Sequence, residues 1–211
     1  MVWFGETRPV GKKKTRLAKE ADPVQRANFQ KKQKHFDIQK LVFLDEFSIH
    51  TGMNRSHARS RVGERAVMTE AFEIDTKWSV ISALSLTGVG ATLTIEGSIN
   101  GEVFQQYVQH FLHQHLWPGH IVVMDNVKFH HNRETIRVIE STGARVVHLP
   151  PYSPDFNPIE ECISKIKAIM KKERPVTQRK LGNSLRRAIN KVSPIDILGW
   201  FEHCCYSYSL N

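Results

Sequence analysis

The chain is predicted to be an α/β protein built on a mixed five-stranded sheet flanked by helices. Three observations lead there. Two apolar runs, Leu41-Val42-Phe43-Leu44 and Ile121-Val122-Val123-Met124, each end in an aspartate, Asp45 and Asp125. Four consecutive apolar residues suit strands buried on both faces. Residues 77–86 and 91–95 read as two more strands joined by the hairpin-like turn Thr87-Gly88-Val89-Gly90, so part of the sheet is antiparallel. A fifth strand at 145–149 follows the 121–125 strand after a single helix, the pattern of a right-handed crossover.

Taken in order, residues 1–38 read as a basic linker. Within them, 22–34 can form a short helix so polar all round that its support must come from a partner. The first strand covers 40–47, with Asp45 where it should end. Residues 50–68 carry Arg55, Arg59, Arg61 and Arg65 and read as a surface loop or hairpin. A helix is expected over 100–116, capped by Asn100, with Val103, Phe104, Tyr107, Val108, Phe111 and Leu112 on one face. His110, His113 and His115 on it do not share a face, which argues against a metal site there. Asn132 caps the crossover helix, which Thr142-Gly143 closes. Pro150 to Pro154 is stiff and extended. Asn157-Pro158-Ile159-Glu160 then opens a helix with Ile159, Ile163, Ile166 and Met170 inward, and Asn157 and Glu160 are placed to form a capping box. Two more helices are expected, over 177–192 and from Ser193 to about 206. The domain reading is a linker at 1–38, one domain at 39–175, and C-terminal helices at 176–211 packed on it.

Composition narrows the function. No apolar run approaches the ~20 residues of a membrane helix, and the first residues lack the features of a secretory signal. Cys162, Cys204 and Cys205 form no Cys-x-x-Cys pair and no zinc spacing, which suits a reducing cytoplasm. The formal charge is +9, which favours a polyanionic partner. It is concentrated at the start: residues 1–40 carry 11 Lys and Arg against 4 Asp and Glu. A solvated arm and a DNA contact are equally good readings of that segment.

In open α/β sheets, sites form outside the carboxyl ends of strands. Neighbouring strands would bring Asp45 and Asp125 together there, and Glu160 can join them from its helix. Three hard oxygen donors suit Mg²⁺ or Mn²⁺, and two such ions ~4 Å apart serve phosphodiester chemistry. Simpler readings compete. An aspartate after a strand often starts a turn, and Glu160 can be spent on its cap. Glu46, Asp155 and Glu161 are near alternatives, with Glu46 expected on the opposite sheet face. Lys167 and Lys171 share the helix stripe of Glu160, where a phosphate backbone would lie. His130 can contact either a phosphate or a ligand carboxylate.

Together these motifs resemble the DDE transposases of the mariner superfamily, and within it the insertion-sequence branch. The resemblance rests on Leu44-Asp45-Glu46, on Met124-Asp125-Asn126 with His130, and on the string from Leu149 through Pro-Pro-Tyr-Ser-Pro-Asp-Phe-Asn-Pro-Ile to Glu160. Between Asp125 and Glu160 lie 34 residues, close to the family's spacing. The resemblance implies an RNase H-like fold and a catalytic, metal-binding triad of Asp45, Asp125 and Glu160, with Asn126 and His130 as accessory residues. It also implies two Mg²⁺ ions, replaceable by Mn²⁺, and cleavage and strand transfer on transposon-end and target DNA. Lys12, Lys13, Lys14, Arg55, Arg59, Arg61, Lys167 and Lys171 are the candidate DNA contacts. A homodimer on paired DNA ends, in the cytoplasm at the nucleoid, is expected. Relatives carry an N-terminal helix-turn-helix region of roughly 100 residues, of which 1–38 reads as a remnant. The chain is thus expected to be a separately encoded catalytic half working with a helix-turn-helix subunit, a fragment, or a decayed copy. A non-catalytic DNA-binding remnant and a nuclease without strand transfer are the alternatives.

Overall fold

The computed structural model describes residues 18–55, 59–67 and 76–207. Lys12, Lys13 and Lys14 lie outside them. The five strands are β1 (Leu41–His50), β2 (Lys77–Ser85), β3 (Gly88–Glu96), β4 (Ile121–Met124) and β5 (Arg145–His148). They form one sheet in the order β3-β2-β1-β4-β5. β1 pairs antiparallel with β2 and parallel with β4, and β4 pairs parallel with β5. The helices are α1 (Pro23–Gln33), α2 (Gly101–His110), α3 (Arg133–Ser141), α4 (Pro158–Glu173), α5 (Gln178–Asn190) and α6 (Pro194–His203). No helix among the described residues is long and apolar enough to cross a membrane.

The period-two alternation of the strands sorts the core into two layers. Phe43, Phe47, Ile49 and Val123 face α4, α5 and α6, against Ile163, Ile166, Leu181 and Phe201. Val42, Leu44, Val122 and Met124 face α2 and α3, against Phe104, Tyr107, Val108 and Ile139. The same parity assigns Asp45 and Asp125 to the α4 face and Glu46 to the α2 face.

The first strand does not end at Asp45. It continues to His50, paired with β2 alone. What stops is the parallel ladder, whose last pair is Phe43 with Val123. Beyond it one edge of β1 is bare, and a notch opens between the strands. The hairpin is also tighter than expected: β3 begins at Gly88, whose φ of 135° supplies the turn conformation that side chains resist. The predicted helix over 100–116 splits into α2 and a 3₁₀ turn, Leu112–His115. Asn100 caps it by accepting from Val103 N at 2.9 Å.

The polar α1 finds its partner in the lead-in to α4. Arg26 makes a bidentate pair with Asp155 at 2.6 and 2.9 Å, and Phe29 stacks on Phe156 with centroids 5.3 Å apart. Gly143 closes α3 at φ 83°, and a Cβ added there would lie 2.9 Å from Pro118 Cα and Cβ. Gly143→Ala is expected to cost about 2–4 kcal/mol, the left-handed conformation adding to the overpacking. Urea unfolding that shows no loss would contradict this.

Candidate active site

The notch beyond the parallel ladder widens into a cleft of about 480 Å³, lined by Asp45, Asp125, Asn126, Tyr152, Asn157 and Glu160 among others. β1 carries Asp45, the end of β4 carries Asp125, and the first turn of α4 carries Glu160. The structure thus gathers the three predicted carboxylates on one cavity wall. Asp45 is half-buried. One of its oxygens accepts from the Glu46 backbone N–H at 2.8 Å, the other from Asn157 Nδ2 at 3.1 Å. Burial pushes its carboxyl up to about 8, and the charges of Glu160, Glu46 and Asp125 add to this. Burial would also raise Asp125, but hydrogen bonds from His130 and Val127 N–H outweigh it and hold that carboxyl below its usual range.

Asn157 does not cap α4. Its side chain makes no cap hydrogen bond and reaches across to Asp45 instead. The expected capping box with Glu160 is therefore absent, and Glu160 stays exposed at the cleft. The near alternatives are otherwise engaged. Asp155 is bound to Arg26, and Glu161 Oε1 lies 2.6 Å from His203 Nδ1. Glu46 is on the other sheet face, as parity requires. His130 is fully buried and bridges two acids, with Nδ1 2.7 Å from Asp125 Oδ1 and Nε2 3.0 Å from Glu46 Oε1. Burial would lower this imidazole, but its two carboxylate partners carry it up to about 9. Asn126 staples the end of β4 to β5: its Nδ2 donates to Leu149 O, and its Oδ1 lies 3.1 Å from His131 Nε2.

The contact of Glu46 with His130 and that of Asn157 with Asp45 are the two site features the sequence reading lacked. The adjacent Leu44-Asp45-Glu46 on opposite faces hints at the first. Nothing local signals the second. Arg55, Arg59, Arg61 and Lys171 are exposed. Lys167 is turned elsewhere: its ammonium lies 5.6 Å over the Phe47 ring and lines a neighbouring groove with Glu46 and Phe129.

Among the described residues, the trio of potential ligands with donor atoms within 4.8 Å of one another is Glu161, His203 and Cys204. Asp45, Asp125 and Glu160 are spread more widely. A pair of ions ~4 Å apart does not need all three donors within reach of one ion, because its outer ligands serve different ions. Three carboxylates lining one cleft are hard oxygen donors of the kind that fit Mg²⁺ or Mn²⁺.

Burial of Asp45, with repulsion from its acidic neighbours added, predicts a stability effect. The folded Asp45 carboxyl lies above its ordinary 3.8, so its contribution to stability is complete below that value and lost as pH rises through about 8. Asn157 Oδ1 is buried without a partner and can accept from an amide at position 45. Without divalent ions, Asp45→Asn is therefore expected to melt above the native chain at pH 8 and close to it at pH 4. A lower melting temperature at pH 8 would count against it.

Residues 40–181 match the family described as DDE superfamily endonuclease. Among solved structures, the Mos1 transposase paired-end complex with left transposon end is similar at TM-score 0.70 and 17% identity, over 93% of this chain and 64% of that one. The catalytic domain of Mos1 mariner transposase is similar at TM-score 0.60 and 16% identity, over 87% and 89%. A Mos1 mariner paired-end complex with Mn matches at TM-score 0.68 and 17% identity, over 94% and 64%. These likenesses establish the RNase H-like fold. The chain spans 64% of the length of the transposase chains in the two paired-end complexes. No curated protein matches it.

Proposed function

Because the chain belongs to the DDE superfamily endonuclease family, we propose that it is the catalytic domain of a mariner-type transposase of the insertion-sequence branch. It cleaves DNA at transposon ends and transfers the freed strand to target DNA. The cleft that gathers Asp45, Asp125 and Glu160 at the end of the parallel ladder carries this reading. Asp45, on the strand beside β4, lines the same cleft as Asp125 and Glu160. The three carboxylates would hold two Mg²⁺ or Mn²⁺ ions, which would supply Lewis-acid stabilisation of the phosphate and lower the pKa of the attacking hydroxyl. Asn157 orients Asp45, and His130 orients Asp125. Exposed Arg55, Arg59, Arg61 and Lys171, with Lys12, Lys13 and Lys14, attract the phosphate backbone, while Lys167 serves the adjoining groove.

The catalytic domain spans 39–175, helices α1, α5 and α6 pack on it, and the basic segment before α1 leads from a DNA-reading region or subunit of helix-turn-helix type. A homodimer on paired ends, in the cytoplasm at the nucleoid, fits this chemistry. The test is nicking and joining of supercoiled and short duplex DNA in Mn²⁺, Mg²⁺ or EDTA, with and without a supplied helix-turn-helix subunit. Metal-dependent breaks and joined products are expected. Salt-dependent binding with no cleavage in any metal would make the chain a DNA-binding remnant, and cleavage without joining a simple nuclease.

A further inference from the structure

Glu46 follows Asp45 in β1 and points away from the cleft, yet its side chain is only 17% exposed. Its Oε1 faces His130 Nε2, while His130 Nδ1 faces Asp125 Oδ1. A carboxylate accepts and does not donate, so a ring with hydrogens on both nitrogens would satisfy both acids at once and join them. The ring plane is held by packing: the Phe104 and Phe129 centroids lie 4.5 and 4.7 Å away. The His130 carbonyl is held by His148 Nε2 at 3.2 Å.

The consequence falls on Asp125. Its Oδ1 accepts from both His130 Nδ1 and Val127 N–H, at 2.7 and 3.1 Å. That leaves Oδ2 as the oxygen free to serve the cleft. We propose that Glu46 is a positioning residue: through His130 it fixes the Asp125 carboxylate so that Oδ1 is engaged and Oδ2 is a single-oxygen donor to a divalent cation. The proposal rests on the metal-site reading above.

One stretch of strand then sets two ligands. β1 presents Asp45 directly on the α4 face and steers Asp125 from the α2 face through Glu46. Asp125 needs such support. It lies just past the end of a four-residue strand with its side chain 43% exposed, where a free carboxylate alternates between one- and two-oxygen coordination. Groups behind the ligands commonly hold them in this way, and removing one weakens metal binding about 10- to 100-fold. The competing view is a buried ion pair that serves the fold alone. It leaves metal affinity untouched once the protein is folded.

The experiment titrates Mn²⁺ into the full chain and reads free ion by electron paramagnetic resonance, with folding checked by circular dichroism. Native protein is compared with Asp125→Asn, Glu46→Ala and Glu46→Gln. Glu46→Ala is expected to weaken binding about tenfold or more. Glu46→Gln should stay near the native affinity, because its carbonyl still accepts from Nε2–H. Without metal, both ring N–H protons of His130 should be visible by NMR in the native chain, and the Nε2–H signal should be lost in Glu46→Ala. Native-like Mn²⁺ binding by Glu46→Ala beside a weakened Asp125→Asn would overturn the proposal and leave the metal site standing. So would Glu46→Gln as weak as Glu46→Ala, since charge and not orientation would then be at work. If Glu46→Ala does not fold, a native chain lacking both His130 ring protons overturns it. Native-like binding by Asp125→Asn removes the metal-site reading itself.

Discussion

Asp125→Asn is expected to lower Mn²⁺-dependent DNA nicking by at least about 10³-fold, equivalent to about 4 kcal/mol of transition-state stabilisation. The change keeps the shape of the side chain and replaces one oxygen with an NH₂ group. The surroundings decide which oxygen. His130 Nδ1–H and Val127 N–H both donate to Oδ1, so the amide must turn its carbonyl toward them. The NH₂ is then left on the cleft side, where it cannot bind a cation. Folding is little disturbed, because every donor around Oδ1 keeps its acceptor. The measurement is a single-turnover nicking rate beside a melting curve: a large loss in rate with a near-native melting temperature is the expected pair. Equal nicking by both proteins would end the catalytic assignment of Asp125.

Phe201→Ala is expected to destabilise the chain by about 3–5 kcal/mol, the range for a fully buried aromatic side chain. Phe201 is 1% exposed on α6. It packs edge-on to Phe43 of β1 at 5.3 Å, with Tyr206 6.1 Å away. Tyr206 in turn donates its hydroxyl to Phe156 O at 2.9 Å, in the lead-in to α4. A cavity there loosens the C-terminal helix from the centre of the sheet and from the turn that presents Glu160. Leu198→Ala, on the same helix but 39% exposed, should cost less than about 0.5 kcal/mol. Urea unfolding of the two variants decides the point. Equal, small losses would mean that the C-terminal helices are an appendage rather than part of the core.

Local reasoning failed where a side chain had two partners to choose from. Asn157 sits before Pro158 and three residues ahead of Glu160, which spells a helix cap, yet it is drawn to Asp45, a residue 112 positions away. Lys167 shares the helix stripe of Glu160, yet its long stem carries the ammonium over Phe47. The polar helix α1 gave no sign of its docking site, because Arg26 meets Asp155 only after α4 has been placed. β1 looked complete at Asp45 because its apolar run ends there, while its continuation is held by pairing with β2.

Periodicity and turn residues sufficed by themselves for the five strands and most helix limits, and the resemblance carried by the Pro-Tyr-Ser-Pro-Asp-Phe-Asn-Pro-Ile-Glu string singled out Asp45, Asp125 and Glu160, which line one cleft. Those properties are local: they follow from side-chain alternation and backbone preference over a few residues. Tertiary structure alone decided where the parallel ladder stops, and that Asn157 and the pair Glu46–His130 grip the two aspartates. Such contacts depend on the register between strands and helices distant in sequence, and no short stretch of chain carries that register.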